Sequence, residues 1–362
     1  MSIPYARKLK SANIQLSPER LYYKPQWLVL GVNNLCNLHC KMCDVGTQTL
    51  QTNFATNLLG AEPLNMPLAL FERICDQAAA WCPEVKIGYA FTEPLIYPYL
   101  IESLQYAQTR QLYTAITTNA LNLERQAQAI CTAGTRDLFV SLDGPPDIHN
   151  VIRGHNRSFQ RAIDGINLVL AESTRPEVSV FCTITEWNVG RLAEFAEFFA
   201  AYPLRTLGFM HTNFTTTEMA ARHNAEWGQL YPATASNIAA THPGQMDLAK
   251  LRQDIETIRQ MRLPFRVVFS PEISTPEQLD QFYNQPGQLI GRRCNDAFDN
   301  IMIKSDGTVI PAHGRCYNLP VGNLYQASLA EIWNSPVLGR FRRNLVKAGG
   351  LLPACARCCS AF

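Results

Sequence analysis

The chain has 362 residues, of which 47% are hydrophobic and 17% charged, proportions that fill a globular core. Its formal charge of +2 gives no electrostatic case for a nucleic-acid partner, and no run of about 18 apolar residues suggests a transmembrane segment. The opening MSIPYARKLKSANIQLSPER is mildly basic but lacks the apolar stretch of a signal peptide, so a cytoplasmic protein is expected.

Residues 1–26 read as an N-terminal extension. From 27 to 211, short β-branched runs alternate with longer segments whose apolar positions recur at three- and four-residue spacing. The strands expected are 27–32, 85–91, 112–117, 137–142, 177–184 and 204–210, and the helices 67–81, 97–109, 122–134, 158–173 and 188–202. Strand–helix alternation implies parallel strands with right-handed crossovers. Six units are too few for an eight-unit barrel, so the fold class is α/β, a partial (β/α)6 TIM-like barrel or a doubly wound sheet. Ligands then bind at the carboxyl ends of the strands. Residues 212–290 form a more polar connecting α/β region, with helices around 219–231 and 247–261 and a strand at 265–269. Residues 291–362 read as a small C-terminal domain. Ser305-Asp306-Gly307 turns a β-hairpin within 298–311, helices follow at 328–334 and 336–347, and the end is CARCCSAF.

Twelve cysteines are many for a chain with no export signal, and in a reducing compartment clustered cysteines hold metal or do redox work. Cys75, Cys82, Cys131 and Cys182 are scattered singly among apolar residues and read as core packing. Cys36, Cys40 and Cys43 form C-x3-C-x2-C directly after the first strand, on the loop above its carboxyl end. A structural zinc site needs a fourth ligand, and His39 is the one local possibility. Three thiolates instead suit three corners of a 4Fe–4S cluster, which leaves one iron open and reactive.

This arrangement resembles the radical S-adenosylmethionine (radical SAM) superfamily. The resemblance implies that the open iron chelates S-adenosylmethionine, whose reductive cleavage gives a 5′-deoxyadenosyl radical that abstracts hydrogen from substrate. GYAFTEPLIYP (88–98) resembles the family's strand-two motif through Glu93 and Pro94, with Thr92 where a glycine is usual. TTNA (117–120) resembles the strand-three end through Asn119, with Ala120 in place of glycine. SLDGPPDIHNVIRG (141–154) resembles the strand-four segment, which makes Ser141, Asp143 and Arg153 cofactor-binding residues by resemblance. Asn188 matches a cofactor-contacting position after strand five, and Met42 one whose backbone faces adenine.

Five more cysteines, Cys294, Cys316, Cys355, Cys358 and Cys359, surround the tail hairpin and the last helices. A C-x2-C pair with two further thiolates suits zinc or a fully ligated 4Fe–4S cluster, and spacing does not choose between them. The order of Cys294, DGTVIP, VGNLYQASLAEIWN and CARCC resembles the auxiliary-cluster tail called SPASM/Twitch. Ala312 lies where many relatives carry a cysteine. The resemblance implies one auxiliary 4Fe–4S cluster on Cys294, Cys316, Cys355 and Cys358, with Cys359 as the alternate ligand, and a part in electron transfer.

His211 and Tyr317 are the catalytic candidates near substrate; Tyr89, Phe91, Phe209 and Asn213 also lie near strand ends. Only 35 residues precede Cys36, which favours a small-molecule substrate (carbohydrate, cyclitol or nucleoside-like) that is oxidised or epimerised, by an oxidoreductase. The alternative is a maturase that crosslinks, epimerises or forms a thioether in a ribosomal peptide. A rival of another class is a non-catalytic zinc-binding interaction protein. A flavodoxin- or ferredoxin-type electron donor is the further partner expected.

Overall fold

The computed structural model describes residues 3–362. Strands β1 (Trp27–Leu30), β2 (Lys86–Tyr89), β3 (Tyr113–Thr118), β4 (Asp137–Ser141), β5 (Glu177–Ile184) and β6 (Thr206–His211) follow one another in space, each parallel to the next. Helices Leu68–Trp81, Leu100–Thr109, Ala127–Thr132, Ser158–Ala171 and Leu192–Phe198 connect them, as strand–helix alternation requires. The fold is thus the α/β partial barrel expected. The helix expected over 122–134 is split at Gln126, whose side-chain amide donates to the Leu95 carbonyl at 2.6 Å.

The sheet runs further than the sequence periodicity suggests. Strand β7 (Arg266–Ser270), read from sequence as part of the connecting region, pairs parallel with β6. Phe269 fastens it by stacking on Phe209, with ring centroids 5.1 Å apart. At the other edge, β8 (Asn300–Ile303) pairs parallel with β1, and β9 (Thr308–Ile310) and β10 (Gly322–Asn323) continue antiparallel. The tail hairpin is therefore the edge of one ten-stranded sheet. Ile301, Met302 and Ile303 are all buried, a run suited to a strand with neighbours on both sides.

Strand residues divide by parity. Leu28, Ile87, Ile116, Val140, Val180 and Phe209 are fully buried beneath the helices. Phe139 and Phe181 pack edge to face on the other, concave side, with centroids 5.6 Å apart. At the amino ends of the strands Lys86 Nζ lies 5.2 Å from the Trp27 ring and 4.7 Å from that of Tyr113. The four scattered cysteines are buried, Cys75 and Cys182 completely. Among the described residues no helix is long and apolar enough to cross a membrane.

Helices Ile3–Leu16 and Asn53–Leu59 have no counterpart in the sequence reading. The second is short and polar, and its stability comes from partners: Thr52 caps it, and its asparagines bond the tail, as described below.

The tail helix Pro336–Lys347 is anchored by Arg342, fully buried, with its guanidinium 4.1 Å from the Trp333 ring centroid. It donates to the carbonyls of Ala297 (2.7 Å) and Trp333 (2.6 Å), while burial brings its pKa down to about 9. Arg342→Ala is expected to cost about 3 kcal/mol by removing two charge-assisted bonds and their packing, read from urea unfolding of the anaerobic protein.

Candidate functional site

The loop from Cys36 to Cys43 hangs from the end of helix Pro146–Arg153. His39 N donates to the Arg153 carbonyl (3.3 Å) and Lys41 N to that of Ile152 (2.9 Å), using acceptors a helix terminus leaves free. Gly154 ends this helix with φ of 69°, and a Cβ there would lie 3.0 Å from the His39 carbonyl oxygen. Gly46 turns the loop over Cys40, where any Cβ would stand 2.3 Å from the Cys40 oxygen. The buried carboxylate of Asp44 fixes the loop's far side. It accepts from Ser236 Oγ and Asn237 N, both at 2.7 Å, while Asn237 Oδ1 accepts from Asp44 N at 3.0 Å.

The three cysteines line one cavity of about 250 Å³ at the carboxyl ends of the strands, shared with Met42, Glu93, Asn119, Ser141 and Arg153. Glu93 is buried and its carboxylate accepts from Thr118 Oγ1 (2.6 Å), Leu95 N (2.9 Å) and Asn119 N (2.8 Å). Burial raises its pKa, and those donors oppose the rise. Asn119 donates to Asn37 Oδ1 at 2.8 Å and so touches the cysteine loop directly. Arg153 pairs with Asp143 (Nε–Oδ2 2.5 Å) and reaches Cys40 Sγ at 3.8 Å. Burial works against its charge, but Asp143 and Cys40 together hold its pKa above the ordinary arginine value. Burial in turn pushes the Cys40 thiol up to about 12, against the pull of Arg153.

Two residues assigned by resemblance lie behind this cavity. Asp143 and Asn188 are both fully buried. Asp143 Oδ1 accepts from Thr183 N (2.8 Å), and Asn188 donates to the Thr183 carbonyl (2.7 Å) and accepts from Thr185 N (2.9 Å). Both hold the ends of β4 and β5 in register and do not face the opening. The backbone is left-handed at Phe91, just before Thr92, with φ of 84°, and at Ala120, with φ of 59°. Ala120 occupies the place where glycine is usual, and its positive φ accounts for that preference.

The auxiliary cysteines meet beyond β6. Cys294, Cys316, Cys355 and Cys358 line a second cavity, together with His313, Arg315 and Tyr317. Cys359 is not in that lining; its Sγ lies 3.6 Å from His313 Nε2, which is 3.0 Å from Cys358 Sγ. His313, Cys358 and Cys359 have ligand atoms all within 4.8 Å of one another. Sequence reasoning missed His313, although it directly follows the Ala312 position where a cysteine was sought. Four thiols on one cavity lining, Cys294 buried and the other three half-buried, suit a closed thiolate site.

Of the two catalytic candidates, His211 is on the lining of the first cavity and Tyr317 on that of the second. His211 shares the parity of Phe209, so its ring faces the helix layer, packs on Phe282 and bonds Tyr283 OH through Nδ1 at 2.8 Å. Met210, of opposite parity, lines the cavity beside it. Tyr317 belongs to the auxiliary site, its hydroxyl 3.4 Å from Cys355 Sγ and its ring stacked on His223 at 4.9 Å. Tyr89 and Phe209 also face helices, whereas Phe91 and Asn213 line the first cavity.

Residues 31–199 match the radical SAM superfamily model, and residues 294–359 match SPASM, an iron–sulfur cluster-binding domain. The fold, the open cysteine triplet and these matches define the class: the chain belongs to the radical SAM superfamily. It is a radical SAM enzyme with a C-terminal SPASM domain, carrying a SAM-binding 4Fe–4S cluster and one auxiliary 4Fe–4S cluster. Among solved structures, Streptococcus suis SuiB bound to S-adenosylmethionine is similar at 18% identity and a TM-score of 0.63, covering 98% of this chain and 78% of that one. SuiB bound to precursor peptide SuiA gives 18%, 0.62, 98% and 77%. The protein anSMEcpe with bound AdoMet and Cp18Cys peptide gives 16%, 0.58, 88% and 82%. These are likenesses of fold.

Burial lowers the His211 pKa to about 3, so in the folded protein the ring stays neutral where the unfolded chain, near 6.5, takes a proton. Stability is therefore lost as pH falls below about 6.5, with about 2 kcal/mol from this residue between pH 7 and pH 5. His211→Gln is expected to remove that share of the acid loss, measured by anaerobic urea unfolding at the two pH values.

Proposed function

We propose that this protein is a radical SAM oxidoreductase acting on a peptide, in the manner of a maturase. The observation that carries the reading is the meeting of the two cavities: Asn213 and Arg315 line both. A substrate seated there lies beside the cysteine triplet on one side and the tail cysteines on the other. The peptide complexes of SuiB and anSMEcpe, proteins of similar fold, support a peptide over the small molecule that the short N-terminal segment suggested.

On this reading Cys36, Cys40 and Cys43 hold the catalytic cluster, and Cys294, Cys316, Cys355 and Cys358 hold the auxiliary one. When bound, the catalytic cluster and S-adenosylmethionine supply the radical that takes a hydrogen atom from substrate. Glu93, with its carboxylate fixed by three donors, would orient the cofactor's amino group, and Ser141 and Arg153 would hold its ribose and carboxylate. The Met42 backbone would face the adenine. Asp143 and Asn188 position rather than contact, and Tyr317 acts through Cys355. A cluster held by Cys294, Cys316, Cys355 and Cys358 would supply an acceptor for the electron that an oxidation of substrate releases.

Anaerobically reconstituted protein is expected to hold roughly eight irons, four per cluster. With dithionite it forms 5′-deoxyadenosine; Cys36→Ala abolishes this and halves the iron, whereas Cys294→Ala halves the iron but spares cofactor cleavage. Zinc without iron or acid-labile sulfide defeats the reading. Peptide oxidation, crosslinking or epimerisation by co-encoded short peptides, followed by mass spectrometry, tests the substrate class.

A cluster-bound Cys355 thiolate carries no proton, so in that pair the Tyr317 hydroxyl, 3.4 Å away, is the donor. His223 Nε2 faces the Tyr231 carbonyl at 2.7 Å and must carry the proton, which leaves Nδ1, 3.5 Å from the same hydroxyl, as its other acceptor. A donor to a cluster thiolate favours the reduced state. Tyr317→Phe is expected to lower the auxiliary midpoint potential by tens of millivolts (~59 mV is tenfold for one electron) in an EPR-monitored redox titration. An unchanged midpoint removes this role.

A further inference from the structure

Arg315 stands at the junction of the two cavities on a backbone that is pinned on both sides. Asn57 Nδ2 donates to the carbonyls of Gly314 (2.9 Å) and Cys316 (2.7 Å), and Arg315 N donates to His313 Nδ1 (3.1 Å). Its guanidinium lies 4.5 Å from the Phe54 ring centroid and makes one hydrogen bond, Nη1 to the Asn213 carbonyl at 3.3 Å. Other charges lining the first cavity are answered: Arg153 by Asp143, and Glu93 by three donors. Among the described residues no carboxylate lies within ion-pairing distance of Arg315, and it lines both cavities. A planar fork of donors, held on a pinned backbone and without a carboxylate partner, is matched to a carboxylate, which it binds through two parallel hydrogen bonds. Stacking and pinning have already taken up the ordering cost of binding.

The geometry points to Arg315 as the substrate anchor, a specificity residue that binds a carboxylate of the substrate between the two clusters. The inference rests on substrate binding at that junction. On a peptide the carboxylate is an Asp or Glu side chain or the C-terminus. Either one, held by Arg315, fixes which neighbouring carbon faces the cysteine triplet. Phe91, on the same cavity wall, supplies the apolar side of the seat.

The test uses holoenzyme with both clusters and S-adenosylmethionine, kept unreduced so that nothing turns over. It is equilibrated with a random heptapeptide library in two forms, free acid and C-terminal amide, and bound peptides are sequenced by mass spectrometry. Enrichment of Asp or Glu in the amide form identifies a side-chain carboxylate; enrichment confined to the free acid identifies the chain terminus. Arg315→Gln is expected to lower either enrichment at least about tenfold while iron content and cofactor binding stay as in wild type. A third arm, radiolabelled glutarate against glutaramide in equilibrium dialysis, separates this inference from the peptide reading. Glutarate binding that needs Arg315, with no peptide bound, keeps the anchor and defeats the peptide. A wild-type protein that prefers carboxylate in none of the arms overturns the inference. So does a preference that survives in Arg315→Gln, even where that variant shifts the auxiliary-cluster potential.

Discussion

Three thiols must be held around an opening without a fourth ligand to draw them together, and the hydrogen bonds of the cysteine loop meet that constraint. The loop hangs from the last carbonyls of helix Pro146–Arg153 and is clamped by Asp44 to Ser236 and Asn237. Neither anchor uses a cysteine, so the sulfurs stay free for a metal. Arg153 serves twice, since its backbone carries the loop while its guanidinium faces Cys40. A bulky side chain at Gly46 would break the arrangement by steric contact alone.

The second constraint is the relation of the two sites. Helix Asn53–Leu59 follows the first cysteine loop, and its asparagines reach the tail. Asn53 and Asn57 interlock with Asn318, and Asn57 holds the backbone on either side of Arg315. A helix too short to stand alone becomes a strut because its polar face is fully used. The one ten-stranded sheet adds a rigid frame, with β8 of the tail beside β1 of the barrel. The distance between the sites is thereby built into the fold.

Much of this was legible in the sequence because it depends on local pattern. Period-two and period-3.6 runs placed β1 to β6 and most helices, and the spacing of Cys36, Cys40 and Cys43 carried the open site. What escaped depends on contacts distant in the chain. The pairing of β8 with β1 joins residues about 270 apart, which no window of sequence reports. His211 does line the first cavity, as a strand-end base would, but its Nδ1 is committed to Tyr283 across 72 residues of chain. Asp143 and Asn188 matched cofactor positions, yet their polar atoms are used by the backbone of β5. Arg315 gave no signal at all, being one arginine beside a cysteine until Phe54 and Asn57 are brought to it.

The contrast between an open cluster and a closed one is tested most directly by Mössbauer spectroscopy of iron-57 reconstituted enzyme, before and after adding S-adenosylmethionine. One iron of roughly eight is expected to change its isomer shift as it gains nitrogen and oxygen ligands, the rest staying as tetrahedral sulfur sites. No shifted iron, or one in each cluster, would contradict the assignment.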